Sequence, residues 1–261
     1  MTWNVWWRFG PQWRDRQQGI VQTIADVDPD VVGLQEVWGA DGTTQVHEFS
    51  AALGMNAAFA TSSIPPTPDP PENPDQAGVD MGVGLLSRWP IVSASTVTLP
   101  AAHRPPPVAI SAALGHPVGL LRVVVANLEW EERYTEDRLA QARALADLAG
   151  EAALDGPLPV LLIGDMNAPP DGAVFRILTE RLVDAWVAGG GDPGAVTLSS
   201  GHPFAPLDAA HLIDRRIDHI LMRPGHEGQQ VTVEGVVTAG DPVAGLDPSD
   251  HRAVVCDISW T

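Results

Sequence analysis

The segment VLLIGDMNAPP, residues 160–170, is an apolar strand-like run that ends abruptly in acidic and amide side chains. Val160–Ile163 has the pattern of a buried strand, Asp165 and Asn167 follow it, and the prolines after them favour a turn. Polar groups beside a buried strand are costly unless they are paired or bind a cation. Ligand sites of α/β sheets also collect at strand ends. The segment therefore predicts a polar site at one edge of a sheet.

Four other segments also place a carboxylate, amide or imidazole at the end of a strand-like run. They are TWNVW (2–6), VGLQEV (32–37), RIDHIL (216–221) and SDH (249–251). The carboxylates among all five segments include Glu36, Asp165, Asp218 and Asp250. If they meet at one edge they repel one another, and a hard divalent cation is the usual remedy.

Hydrophobic periodicity predicts strands that alternate with helices. The predicted strands are Thr2–Trp7, Val31–Leu34, Gly82–Ser87, Ile91–Leu99, Val108–Leu114, Leu120–Asn127, Val160–Ile163, Ile217–Met222, Val231–Val237 and Ala253–Ile258. The predicted helices are Asp15–Val27, Thr44–Leu53 and Thr135–Gly150. This order favours an α/β sandwich of two sheets with helices outside, built as a single domain over residues 1–261. The proline-rich segments 64–75 and 104–107 predict surface loops, with a spacer role preferred over a partner-binding polyproline motif.

Composition excludes several classes of protein. No run of eighteen apolar residues exists, so we expect no membrane insertion. A single cysteine, Cys256, excludes an internal disulfide and a cysteine zinc cage, and its strand-like surroundings predict a core position. The net charge of −18, with fifteen arginines and no lysine, disfavours general adhesion to nucleic acid or anionic membrane. We expect a cytoplasmic, monomeric, bacterial protein, although Met1 falls inside the first predicted strand, which leaves an upstream start open.

Together and in this order, the five segments resemble the endonuclease/exonuclease/phosphatase superfamily, which includes exonuclease III-like nucleases, pancreatic deoxyribonuclease, neutral sphingomyelinases and inositol polyphosphate 5-phosphatases. The segment GLLSRWPI (84–91) adds a further pattern of that family, and GDMN (164–167) and SDH (249–251) are the most specific elements. The resemblance spans nearly the whole chain. It implies a four-layer sandwich, two stacked mixed β-sheets flanked by helices, with the site at one end.

The resemblance also implies the ligands of a Mg²⁺ or Mn²⁺ ion. Glu36 is expected to be the main ligand, helped by Asn4 and Asp250. Such an ion holds a phosphate oxygen and neutralises the charge that develops on it. An alternative for Asn4 is that it only ties two loops together.

Four residues receive catalytic roles from the same resemblance. Asp165 is expected to orient or deprotonate the attacking water, and Asn167 to hold the phosphate. His251 is expected to donate to the phosphate, with Asp218 fixing its tautomer and favouring its charged form. The alternatives are an Asx turn that caps a helix for Asp165 and Asn167, an ordinary turn for residues 250–251, and a surface ion pair for Asp218. Its neighbour His219 is interpreted as structural.

One position departs from the family pattern. The strand before the long helix usually ends in a Thr-His-Leu type of segment, whereas this chain has Asn127 at the histidine position. An amide can donate a hydrogen bond to phosphate but cannot carry charge or transfer a proton. The following helix keeps the RxxQ spacing at Arg138 and Gln141. Asn127 is therefore expected to bind substrate and assist catalysis at a reduced rate.

Aromatic and basic side chains cluster near the first two motif strands. Of Trp6 and Trp7, which a strand would point to opposite faces, one is expected in the core. Arg8 is the preferred second phosphate contact, with Arg14 and Arg16 as further candidates.

These observations predict a divalent-metal-dependent hydrolase that cleaves a phosphoester, and preferably a phosphodiester, by in-line attack of water. Nucleic acid, a lipid headgroup and a small phosphodiester remain open as substrates. A noncatalytic or weakly active binding or scaffold protein is the alternative from another class.

Overall fold

The computed structural model describes all residues, 1–261, as two stacked β-sheets with α-helices on their outer faces. The strands are β1 (Thr2–Asn4), β2 (Val31–Ala40), β3 (Thr43–Thr44), β4 (Asn56–Thr61), β5 (Asp80–Ser87), β6 (Ile91–Thr98), β7 (Val108–His116), β8 (Gly119–Asn127), β9 (Val160–Asp165), β10 (Val183–Asp184), β11 (Asp218–Arg223), β12 (Val231–Ala239) and β13 (Ala253–Trp260). The helices are α1 (Trp13–Val27), α2 (Gln45–Leu53), α3 (Thr135–Ala149), α4 (Ala173–Thr179) and α5 (Ala185–Ala188). None of them is both long and apolar enough to cross a membrane.

Both sheets are mixed. The first has the order β12-β13-β1-β2-β5-β4, with β3 paired to β2, and the second has the order β10-β11-β9-β8-β7-β6. The pairs β1–β2 and β8–β9 are parallel and the remaining pairs are antiparallel. The two parallel pairs lie in the middle of their sheets, where both faces are covered, as parallel strands require.

Three apolar layers hold the sandwich together. Between the sheets, Val83 of the first packs in one cluster with Val125 and Ile163 of the second. Ile20 of α1 packs in the cluster outside the first sheet, and Leu145 of α3 packs in the cluster outside the second. Each fully buried side chain of this kind contributes about 1.5–3 kcal/mol. The expected four-layer α/β sandwich is confirmed.

The structure corrects the expected course of the first motif strand. β1 ends at Asn4, and Trp6 and Trp7 lie beyond it with φ of 56° and 25°. They therefore belong to a loop and not to opposite faces of a strand. Trp7 is buried, as expected for one of the pair, whereas Trp6 is only partly buried.

Five regular elements and one cysteine differ from expectation. The strands β3, β4 and β10 and the helices α4 and α5 are short and have no counterpart among the predicted elements. Cys256 is half-buried instead of being a full core residue. Thr2, at the start of β1, pairs with Val254 of β13. The residues of β13 after Val254 pair with β12 alone, so one side of this part of the strand has no neighbouring strand.

Candidate active site

Strand ends from both sheets meet at one end of the sandwich. In the second sheet Asn127, Asp165 and Asp218 lie side by side in register on β8, β9 and β11. In the first sheet Asn4 ends β1 opposite Gln35, the residue before Glu36. The loop that leads into β13 brings residues 249–251 to the same end, because Ser249 Oγ donates to the Asn4 carbonyl at 2.7 Å.

A β-bulge aims Glu36 at this end. Gln35 pairs with Val83 and Val37 pairs with Gly82, so Glu36 is left without a partner and takes a φ of 55°. A bulge of this kind redirects one side chain out of the regular alternation. Burial, together with the neighbouring charge of Asp250, raises the pKa of Glu36 to about 8.

Asn4 bridges two carboxylates. Its Nδ2 donates to Glu36 Oε1 at 2.9 Å and to Asp165 Oδ2 at 3.1 Å, while its Oδ1 accepts from the backbone N–H of Trp6 at 3.0 Å. Because the Trp6 N–H is a donor, it fixes the amide with its oxygen turned away from the carboxylates. These contacts tie the two sheets together, and the expected role of Asn4 as a ligand stays a prediction.

The turn after β9 positions Asp165 and Asn167. Asp165 Oδ1 accepts from the Asn167 backbone N–H at 2.9 Å, an Asx turn, and Asn167 has a φ of 46°. No helix begins directly after this turn, since α4 starts at Ala173. Burial, followed by the nearby Asp218 charge, raises the pKa of Asp165 to about 7.

Asn127 lies behind Asn167. The Asn167 Nδ2 donates to the Leu128 carbonyl at 2.8 Å and to Asn127 Oδ1 at 3.3 Å. Asn127 is buried and its own Nδ2 has no hydrogen-bond partner. It does not line the cavity described below and it supports Asn167, and its expected contact with substrate stays a prediction.

Asp218 and His251 form a buried pair. The His251 Nδ1–H donates to Asp218 Oδ2 at 2.9 Å, and potential ligand atoms of Asp165, Asp218 and His251 lie within 4.8 Å of one another. Burial alone lowers the pKa of an imidazole, but the Asp218 carboxylate, with further help from Asp250, raises that of His251 well above its usual range. Since Nδ1 is engaged, Nε2 is the nitrogen left to act on a substrate.

The neighbouring residues settle two of the alternatives for this segment. Arg216 pairs with Asp184 at 2.7 Å, so Asp218 is not its surface partner. The His219 Nε2–H donates to the Ala168 carbonyl at 2.8 Å, and its Nδ1 accepts from Arg216 at 2.6 Å. His219 is therefore a neutral structural histidine, and burial next to Arg216 lowers its pKa to about 3.

A cavity of about 330 Å³ opens where these groups meet. Its polar lining comprises Glu36, Glu72, Asp165, Asn167, Asp250 and His251. Its apolar lining comprises Trp6, Phe9, Pro65, Trp130, Leu198, Pro206, Ala209 and Leu212. This volume is in the range of small-molecule sites.

None of the three candidate arginines lines the cavity. Arg8 donates to the Asp75 carbonyl at 2.7 Å and lies over the Trp13 ring, and Arg14 pairs with the Asp75 carboxylate. Arg16 is buried and donates to backbone carbonyls. The Arg8 guanidinium is held by an internal acceptor and an aromatic face, and its expected phosphate contact stays a prediction.

Most of the apolar wall escaped the sequence analysis. Pro65 and Glu72 come from the proline-rich loop, and Trp130 follows the strand that ends at Asn127. Leu198, Pro206, Ala209 and Leu212 belong to the segment 198–214, whereas Trp6 and Phe9 lie in the loop after β1. Prolines signal a loop but not where the loop folds, so no sequence pattern indicated that these segments reach the site.

The oxygen-rich lining fits a divalent cation such as Mg²⁺ or Mn²⁺. Glu36, Asp165 and Asp250 bring carboxylates to the cavity, and no arginine lies there to neutralise them. Burial raises the pKa values of all three, although the charge of His251 opposes the rise, as expected for acidic groups withdrawn from water. Carboxylate oxygens are the ligands that these hard ions prefer. Glu36 and Asp250 stay the predicted ligands.

Two curated proteins are similar in sequence. Tyrosyl-DNA phosphodiesterase 2 of Xenopus tropicalis is 25% identical over 267 residues, which cover 99% of this chain and 65% of the relative. Inositol phosphosphingolipids phospholipase C of Schizosaccharomyces pombe is 24% identical over 208 residues, which cover 72% of this chain and 46% of the relative. The chain thus spans less than two thirds of either relative.

Solved structures share the fold. TDP2 of D. rerio, in complex with a single-strand DNA product, superposes with a TM-score of 0.77 at 19% identity and covers 99% of this chain and 97% of its own. An endonuclease/exonuclease/phosphatase from Beutenbergia cavernae gives 0.75 at 23% identity, over 98% and 70% of the two chains. The model of the family described as "Endonuclease/Exonuclease/phosphatase family" matches residues 1–251. The chain therefore belongs to the endonuclease/exonuclease/phosphatase family, whose members are metal-dependent phosphoesterases.

Proposed function

We propose that this protein hydrolyses a phosphodiester by in-line attack of water, with a divalent cation bound at Glu36 and Asp250. The observation that carries the proposal is the pairing of two chemical functions in one cavity. Asp165 presents a carboxylate whose pKa is about 7, and His251 presents an imidazole whose pKa is raised by Asp218. A base and an acid matched to neutral pH are what hydrolysis of a phosphoester requires.

The residues divide the reaction among them. Asp165 accepts the proton of the attacking water, and its orientation is fixed by the Asn4 and Asn167 donors. The His251 Nε2–H donates to a nonbridging phosphate oxygen, where negative charge develops. The cation, when bound, supplies Lewis-acid stabilisation of the same phosphate. Asn167 keeps its turn in place through Leu128 and faces the cavity.

A diester is preferred over a monoester on two grounds. The names of both curated relatives describe diester chemistry, tyrosyl-DNA in one and an inositol phosphosphingolipid in the other. The cavity also holds no arginine to bind the second negative charge of a monoester.

A matched pair of chromogenic substrates tests this function. We expect purified protein to hydrolyse bis(p-nitrophenyl) phosphate in Mg²⁺ or Mn²⁺ at least tenfold faster than p-nitrophenyl phosphate, and EDTA to abolish both rates. Asp165→Asn should lower the diester rate by at least about a hundredfold, since it removes the base. Asp26→Asn, an exposed acid on α1, is the matched control and should leave the rate unchanged. Binding of Mg²⁺ without turnover of any phosphoester would favour a binding or scaffold protein.

A further inference from the structure

The cavity wall has a composition that the hydrolytic chemistry does not explain. Besides the acidic residues, the lining contains apolar side chains, among which Trp6, Phe9 and Trp130 contribute aromatic rings. Binding a phosphate and a cation needs none of these rings. They lie on two separate segments, Trp6 and Phe9 on the loop after β1 and Trp130 on the segment after β8, so no single local packing need brings all three together.

Contacts with several other residues fix the position of the Trp6 ring. The ring lies directly on Gly10, where an added Cβ would stand 2.1 Å from the Trp6 ring, and Gly10 has a φ of 63°. The guanidinium of buried Arg16 lies 4.5 Å from the ring centroid on the inner side. The outer side meets His202 edge-on at 5.5 Å and Phe204 at 5.9 Å. The ring is thus held at the cavity while part of its surface remains accessible.

Exposed apolar side chains also lie on a segment that lines the cavity. Phe204 is 50% exposed and Leu207 is 66% exposed, on the same 198–214 segment that supplies Leu212 to the wall. An aromatic surface of this kind favours an aromatic ring, which gains offset or edge contacts in addition to apolar burial.

The charges around the cavity disfavour a chain of phosphates. Recognition of a polynucleotide depends on several arginine or lysine contacts to successive phosphates. Three arginines of the surrounding segments are engaged within the protein: Arg8 with Asp75, Arg104 with Glu131, and Arg138 with the Trp130 carbonyl. Glu72 adds a further carboxylate to the lining.

We propose that the site selects a phosphodiester with a single negative charge and an aromatic substituent packed on Trp6, and that it discriminates against polyanionic chains. This inference rests on the proposed function for the place of the phosphate. The aromatic group lies against Trp6 and Phe9, and the phosphate lies at Glu36, Asp250 and His251.

Calorimetric titration in Mg²⁺ tests the inference without requiring turnover. The probes are diphenyl phosphate, dimethyl phosphate and an oligothymidylate of eight nucleotides. We expect diphenyl phosphate to bind at least tenfold more tightly than dimethyl phosphate, and the oligothymidylate, per phosphate, no more tightly than dimethyl phosphate. Trp6→Ala should reduce the diphenyl-to-dimethyl ratio to threefold or less, and Trp6→Phe should retain most of it. Trp260→Ala, at the opposite end of the sandwich, is the matched control and should leave the ratio unchanged.

The results separate this inference from the proposed function. Tighter binding of the oligothymidylate than of diphenyl phosphate overturns the inference, as does a ratio that Trp6→Ala and Trp6→Phe both leave at the wild-type value. Hydrolysis of bis(p-nitrophenyl) phosphate is measured separately. Turnover without an aromatic preference supports the proposed function and contradicts the inference. An aromatic preference without turnover contradicts the proposed function and supports the inference.

Discussion

Glu36 shows how one residue can link backbone geometry to chemistry. The bulge that frees it from the β2–β5 pairing also directs its carboxylate toward Asp250, and burial then raises its pKa to about 8. In the protein without a cation, this group favours protonation near neutral pH. Occupation by a divalent ion reverses that preference, because the ion stabilises the carboxylate form.

Glu36→Gln should therefore change stability and activity in opposite directions. The folded pKa of about 8 lies above the unfolded value of 4.5, so the stability that Glu36 contributes in EDTA is full below pH 4.5 and is lost as pH rises to about 8. The loss is up to about 1.4 kcal/mol for each pH unit in that window. Because glutamine does not titrate, Glu36→Gln does not lose this stability, and its advantage over wild type in free energy of unfolding should grow from pH 4.5 to 8. Mg²⁺ should abolish the advantage, and activity should fall by at least about a hundredfold.

Denaturant unfolding at pH 5, 6.5 and 8 in EDTA measures this difference. Glu48→Gln, an exposed acid on α2, is the control and should follow wild type at each pH. An unchanged Mg²⁺ affinity in Glu36→Gln would contradict its assignment as a ligand.

The Asp218–His251 pair makes a separate prediction about pH. Because Asp218 raises the pKa of His251, the imidazole is protonated at neutral pH and activity should fall as pH rises through that raised value. Asp218→Asn preserves the shape but removes the charge, so the alkaline limb of the pH–rate profile should move to lower pH. His251→Gln should remove that limb and lower turnover strongly. An alkaline limb that does not move in Asp218→Asn would show that the two residues are not coupled in catalysis.

At the scale of elements, the strand ends were predictable and the loops were not. The buried runs that end at Asp165 and that follow Asp218 have clear apolar patterns, and the antiparallel pairing of β9 with β11 then places both residues in register. The wall residues Pro65 and Leu212 sit in segments without periodicity, whose positions depend on tertiary contacts alone. The burial of Arg16 has no signal in the sequence for a related reason: a charged residue on an amphipathic helix is normally solvated, whereas here loop carbonyls cover it.

Arg16 joins two loops of the site. Its guanidinium donates to the carbonyls of Trp6, Trp7 and Phe9 in the loop after β1, and to the carbonyl of Pro248 in the loop before β13. No other side chain reaches both loops in this way with a planar, multiply donating group. α1 thus fixes the distance between the aromatic wall and the segment that carries Asp250 and His251.

Arg16→Lys should consequently weaken both fold and catalysis. An ammonium has fewer donors and a different reach, so several buried carbonyls lose their partners at about 1–3 kcal/mol each. Loosening of the two loops should lower kcat by up to about a hundredfold. Thermal unfolding and steady-state kinetics on the diester measure the two effects. Arg14→Lys on the same helix alters only an exposed ion pair, so it should cost under about 1 kcal/mol and leave kcat unchanged. Equal kinetics in the two variants would exclude the positioning role.

At the scale of the whole molecule, the net charge of −18 surrounds a site whose substrate is an anion. A protein that binds nucleic acid through several phosphate contacts loses affinity steeply as salt rises, because binding releases counterions. An acidic protein that takes a small anion has the opposite dependence, since salt screens repulsion between them beyond a Debye length of about 10 Å at 0.1 M. The effect of salt on substrate binding therefore has opposite signs in the two cases.

Raising NaCl from 20 to 500 mM at constant Mg²⁺ should increase kcat/KM for bis(p-nitrophenyl) phosphate, by roughly two- to fivefold, through a faster encounter. A diester that carries an additional phosphate, such as thymidine 3′-phosphate 5′-(p-nitrophenyl phosphate), should respond more steeply because its repulsion is larger. The rise should appear in KM more than in kcat, since the barrier at the buried Asp165 and His251 is screened little. Sucrose at matched osmolality should not reproduce it. A decrease in kcat/KM with salt for both substrates would instead indicate that basic groups outside the cavity bind the substrate.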